Sequence, residues 1–123
     1  MNLFKLLFLM TGFIFAVEFN VYPYLQDATP NSMHILWETD SESQSVVEWG
    51  EYVFLSETTI GSSFTNYGSS KIHTVQLENL EPNTRYYYRV ILGNYESYSD
   101  LYNFITPPEP SSEASFRIIA MSD

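Results

Sequence analysis

The sequence predicts an all-β fold, an antiparallel sandwich, on three observations. From Phe19 onward, short runs rich in β-branched and aromatic residues are separated by turn residues at regular spacing. Within these runs apolar and polar residues alternate with period two, as in "SMHILWET" and "VVEWG". No segment of helical period competes with them.

Composition bounds the rest. At 123 residues the chain holds one ordinary domain with flanking segments, and two complete domains do not fit. Aromatic residues make up 17% and charged residues 16%, which excludes disordered and coiled-coil classes. Five Lys and Arg face fifteen Asp and Glu, a formal charge of -10, so the surface field repels nucleic acid and anionic membrane. The carboxylates lack the spacing of a calcium loop. No cysteine is present, so no disulfide can support the core.

Taken in order, residues 1–16 combine an early Lys5 with an apolar stretch from Leu6 to Ala16, too short for a membrane span and matching a secretory leader. The expected location is secreted, extracellular or periplasmic, with no membrane contact after cleavage. An uncleaved anchor is the alternative. No Asn-x-Ser/Thr acceptor occurs.

Strands are expected near Phe19 to Leu25, Met33 to Glu38, Ser45 to Gly50, weakly at Val53 to Thr59, then Ile72 to Leu77, Tyr86 to Leu92 and Tyr98 to Ile105. "DATPNS" reads as the break after the first strand, and "GSSFTNYGSS" as a loop with Gly61 and Gly68 at positive φ. Alternation puts Met33, Ile35 and Trp37 on the core face, joined by Val47 and Trp49, so two indoles share one core.

The stretch "LENLEPNTRYYYRV" carries Leu80, Pro82, Thr84 and Tyr86 at alternate positions ahead of a strand. That spacing resembles a tyrosine corner, with the Tyr86 hydroxyl bonded back to nearby backbone, as in fibronectin type III and related immunoglobulin-like sandwiches. Tyr88 and Val90 then point inward, and Tyr87, Arg89 and Ile91 outward. After Thr106, "PPEPSSEAS" (107–115) contains three prolines and reads as a stiff linker. "FRIIAMSD" (116–123) follows, an apolar run suited to a strand buried on both faces.

Three segments, "VYPYLQDATPNSMHILWETD", "KIHTVQLENLEPNTRYYYRV" and "FRIIAMSD", resemble in the same order the N-terminal part of purple acid phosphatases. The resemblance implies a fibronectin type III-like domain over 17–106 and, at 116–123, the first strand of an α/β metallophosphoesterase domain that is otherwise absent. It further implies that the full-length parent is a phosphatase with a binuclear metal centre of Fe with Fe, Zn or Mn. Such a centre polarises a phosphoryl oxygen and supplies hydroxide at working pH.

By position, Asp123 matches the family's first metal ligand, at a strand end where ligands gather in parallel sheets. Many members carry Gly before that Asp where this chain has Ser122, and Ser-Asp also occurs in wider metallophosphoesterases. The fragment itself is expected to hold no cofactor and catalyse nothing; its expected partners are its own catalytic domain and, in the parent, further copies. The alternative is a stand-alone secreted fibronectin-like binding or adhesion module.

His34 and His73, the only two imidazoles, are expected to be structural, His73 facing the catalytic domain. Arg85, Arg89 and Arg117 are expected to pair with carboxylates rather than cradle phosphate. "YYYRV" and "NYESYSDLYNF" offer Tyr-rich surface for a partner.

Overall fold

The structure, a computed structural model, describes residues 16–111. Residues 1–15 of the expected leader lie outside that range, as do Arg117, the strand expected over 116–123, and Asp123.

Nine strands follow in order: β1 Phe19–Thr29, β2 Ser32–Thr39, β3 Val46–Gly50, β4 Glu57–Ile60, β5 Ser62–Thr65, β6 Lys71–Leu77, β7 Arg85–Leu92, β8 Ser97–Tyr98 and β9 Tyr102–Ile105. One sheet runs β1-β2-β6-β5, the other β4-β3-β7, with β7 carrying β9 along its first half and β8 along its end. Every pairing is antiparallel. The core between the sheets takes Met33, Ile35 and Trp37 from β2, Val75 and Leu77 from β6, Val47 from β3, and Tyr86, Tyr88 and Val90 from β7. Alternation along β2 is complete, each odd position from Met33 to Thr39 being buried.

Several sequence expectations are corrected. β1 continues through "DAT" to Thr29, so only Pro30 and Asn31 turn the chain; the Thr29 hydroxyl accepts from the Asn31 amide at 3.2 Å and makes a local Asx-like closure. The strand expected over 53–59 lies instead at 57–60, because residues 51–54 form the tip of the β3–β4 hairpin. Part of the expected 61–70 loop pairs with β6 as β5, Ser62 opposite Thr74 through Thr65 opposite Lys71. Small polar residues hide an edge strand whose side chains all face solvent. The strand expected over 98–105 is divided into β8 and β9.

Gly68 does adopt positive φ, at 59°, but Gly61 does not. Gly61 is required for space: a Cβ there would meet the Thr74 carbonyl oxygen at 2.0 Å. Trp49 is only half-buried, at the margin of the core, its indole N–H donating to Thr59 Oγ1 at 2.9 Å. Ile91 is fully buried although it lies on the face opposite Val90.

The unpaired edge of β1 is long, and it is interrupted by Pro23, by three register shifts, and by Asp27 at φ 52°. Each of these bends or blocks the ladder against pairing with another chain.

Candidate functional site

Sequence reasoning singled out the two histidines, and the structure sends them to opposite faces of one sheet. His34 sits on the outer face of β2, opposite Gln76, and its Nδ1 has no hydrogen-bond partner among the described residues. His73 is fully buried between the sheets, so it does not face a neighbouring domain. Its ring stacks on Trp37 with centroids 4.9 Å apart and planes 8° from parallel.

Both ring nitrogens are satisfied, at 2.8 Å from Thr39 Oγ1 and 2.8 Å from Ser45 Oγ. Thr39 donates its own hydroxyl proton to the Ser41 carbonyl, so it must accept from His73 Nε2–H. Ser45 then donates to Nδ1, and the ring is neutral. Burial pushes its pKa down to about 4, against a smaller opposing pull from Glu42 and a push from Lys71 in the same direction as burial. Thr39 and His73 belong to one sheet, while Ser45 leads into the other. The imidazole is a bridge between layers.

The tyrosine corner is formed: the Glu81 amide donates to the Tyr86 hydroxyl at 2.8 Å. Tyr86 and Tyr88 are buried, and burial raises the pKa of both, so neither phenol serves as a base. Of the Tyr-rich segments, Tyr95 and Tyr98 remain exposed. Arg89 pairs with Glu48 at 3.0 Å and lies 3.9 Å from the centre of the Tyr98 ring, a three-membered stack across β3, β7 and β8. Arg85 donates to Asn103 rather than to a carboxylate. Of the two, Arg89 alone is paired with a carboxylate among the described residues.

Among the described residues, no three His, Asp or Glu side chains come together as a metal would require. Open clefts among the described residues include two of note. One, of about 390 Å³, is lined by Ser43, Gln44, Ser45, Gly61, Ser63 and Asn94 among others. The second, of about 500 Å³, lies between the β3–β4 hairpin and the β6–β7 crossover, where Trp49, Tyr52 and Tyr86 are ringed by Glu51, Glu57, Glu78 and Glu81. This grouping was not legible in the sequence, because β5 and β6 separate its two halves along the chain.

Compared with known proteins, residues 19–106 match the family described as purple acid phosphatase, N-terminal domain. The chain belongs to the purple acid phosphatase N-terminal domain family. A purple acid phosphatase of Glycine max is 32% identical over 87 residues, which is 71% of this chain and 16% of that relative's length. Among solved structures, the sensor domain of the anti-sigma factor RsgI4 of Pseudobacteroides cellulosolvens is similar in its longer form, with TM-score 0.58 and 21% identity over 82% of this chain and 99% of that one. Its shorter form gives TM-score 0.56 and 18% identity over 78% and 99%. At these identities the likeness is one of fold. The purple acid phosphatase N-terminal match ends at Thr106, one residue after the last sandwich strand.

Proposed function

We propose that this chain serves as the N-terminal, non-catalytic module of an exported phosphate-ester hydrolase of the purple acid phosphatase type. The observation that carries this reading is the family match over residues 19–106, taken with the 16% of the soybean relative's length that the chain spans. On this reading the hydrolysis belongs to a following domain with a binuclear centre of Fe with Fe, Zn or Mn, and Asp123 would be its first ligand. The module's partner is that domain, and the parent self-associates. Export is supported by the leader-like residues 1–16.

The coding sequence beyond Asp123 is expected to continue in frame into further Asp, His and Asn ligand motifs; a stop codon there with no downstream homologous frame overturns the reading. The purified 123-residue chain is expected to release no phosphate from p-nitrophenyl phosphate with added Fe, Zn or Mn. Turnover clearly above background would remove the non-catalytic assignment.

A second reading, a stand-alone secreted binding or adhesion module, is favoured by one observation. Tyr52 and Phe54 stand stacked and exposed at the hairpin tip, with centroids 5.4 Å apart.

A further inference from the structure

The β3–β4 hairpin ends in an apolar tip beside a cleft lined by aromatic rings. Tyr52 is 62%, Val53 63% and Phe54 72% exposed, and the rings of Tyr52 and Phe54 stack with centroids 5.4 Å apart. The turn that presents them is closed, the Leu55 amide donating to the Tyr52 carbonyl at 3.2 Å with Leu55 left-handed at φ 49°. Three consecutive bulky apolar side chains at such exposure favour a partner that removes them from water.

Tyr52 also lines the cleft of about 500 Å³, so tip and cleft form one continuous surface. The other two rings of that cleft are fixed in place. Trp49 donates its indole N–H to Thr59 Oγ1 at 2.9 Å, the Tyr86 hydroxyl accepts from the Glu81 amide at 2.8 Å, and the two rings meet edge to face with centroids 5.7 Å apart. With their polar atoms engaged elsewhere, what they add to the cleft is preorganised aromatic surface.

Charge selects the occupant. Glu51, Glu57, Glu78 and Glu81 line the same cleft and, among the described residues, take part in no ion pair and no side-chain hydrogen bond. The described cations are engaged elsewhere, Lys71 with Glu42, Arg89 with Glu48 and Arg85 with Asn103. Among the described residues the carboxylates do not converge as a metal ion would require. A delocalised guanidinium fits better, because it stacks on rings and is less tightly hydrated than an ammonium. A second copy of the chain brings its own formal charge of -10 to the same place and is repelled.

We propose that this surface docks a basic, apolar segment of another protein, with an arginine side chain in the cleft between the aromatic wall and the carboxylates, and the arginine's apolar neighbours against Tyr52 and Phe54. The match is one of charge and polarity together: the cleft supplies the negative field and the rings, the tip supplies the apolar contact. This inference stands on the described residues and is independent of the phosphatase reading.

The test titrates the 123-residue chain with the capped tripeptide Leu-Arg-Phe and follows its amide correlation spectrum. Saturable shifts are expected at residues 51–57 and 78–81 and at the Trp49 indole, with a dissociation constant of about 1 mM or below. The amides of Ser43 to Ser45 and Gly93 at the other cleft should stay in place. Replacing the arginine of the probe by citrulline, which keeps its shape and removes its charge, is expected to weaken binding about tenfold. Glu57→Gln combined with Glu81→Gln should weaken it similarly without lowering Tm, since both side chains are exposed and the Glu81 amide still holds Tyr86. Equal binding of the two probes overturns the proposal, as do shifts spread evenly over the acidic surface. Shifts at 51–57 that track protein concentration without probe would assign the surface to a second copy, and broadening of 52–54 by phosphatidylcholine vesicles alone would assign it to a membrane; either result overturns the proposal as well. None of these outcomes touches the phosphatase reading, which fails instead on a stop codon after Asp123.

Discussion

At the scale of single residues, His73 is built to be neutral. Thr39 accepts from one ring nitrogen, Ser45 donates to the other, and Trp37 covers one face. In the unfolded chain the imidazole titrates near 6.5, and in the fold near 4. A lowered folded pKa means that the unfolded state binds the proton first. The stabilisation is therefore complete above pH 6.5, is lost progressively as pH falls toward 4, and changes no further below that. Over that window the loss amounts to roughly 3 kcal/mol at most. Urea unfolding followed by tryptophan fluorescence is expected to give a stability that falls between pH 6.5 and 4 in the native chain. The fall should be smaller by about that amount in His73→Gln, which starts less stable; parallel pH curves for the two would refute the assignment.

At the scale of elements, Gly61 and Gly68 look alike in sequence, two glycines bounding one polar stretch, yet they have different physical jobs. Gly61 lets β5 pass within touching distance of the β6 backbone, and nothing flexible stands in the way to yield. Gly61→Ala is expected to cost about 3 kcal/mol and to loosen the β5–β6 ladder, read as a drop in Tm and faster amide exchange at Thr74 and Val75. Gly68 has empty space around it and only its φ of 59° to satisfy, so Gly68→Ala should cost about 1 kcal/mol and Gly68→Asn less. Equal losses at the two positions would contradict this division.

The same contrast marks how far the sequence could be read. Trp37, Val47, Tyr86 and Tyr88 fall where alternation places them, because burial of one sheet face imposes a strict period. "SSFT" escaped notice since an edge strand exposed on every side chain carries no such period. The family assignment was legible, resting on ordered motifs along one strand path. The acidic cleft was not, because it depends on how the β3–β4 hairpin and the β6–β7 crossover meet in space.

At the scale of the whole molecule, the formal charge is -10, and among the described residues two side-chain ion pairs form, Lys71 with Glu42 and Arg89 with Glu48, which leave that excess of carboxylates uncompensated. Self-repulsion should then be the electrostatic term that salt changes most. Adding sodium chloride up to about 0.5 M, where the screening length falls below about 5 Å, is expected to raise Tm by a few degrees. A Tm that falls with salt would mean that attractive pairs dominate. Joining the two layers is a task that some sandwiches give to a cystine, and here a histidine bridge, stacked on Trp37, does it with hydrogen bonds. Such a joint answers to protons and is blind to electrons. Reducing agents should leave this module untouched while mild acid loosens it, so that its surroundings register through acidity alone.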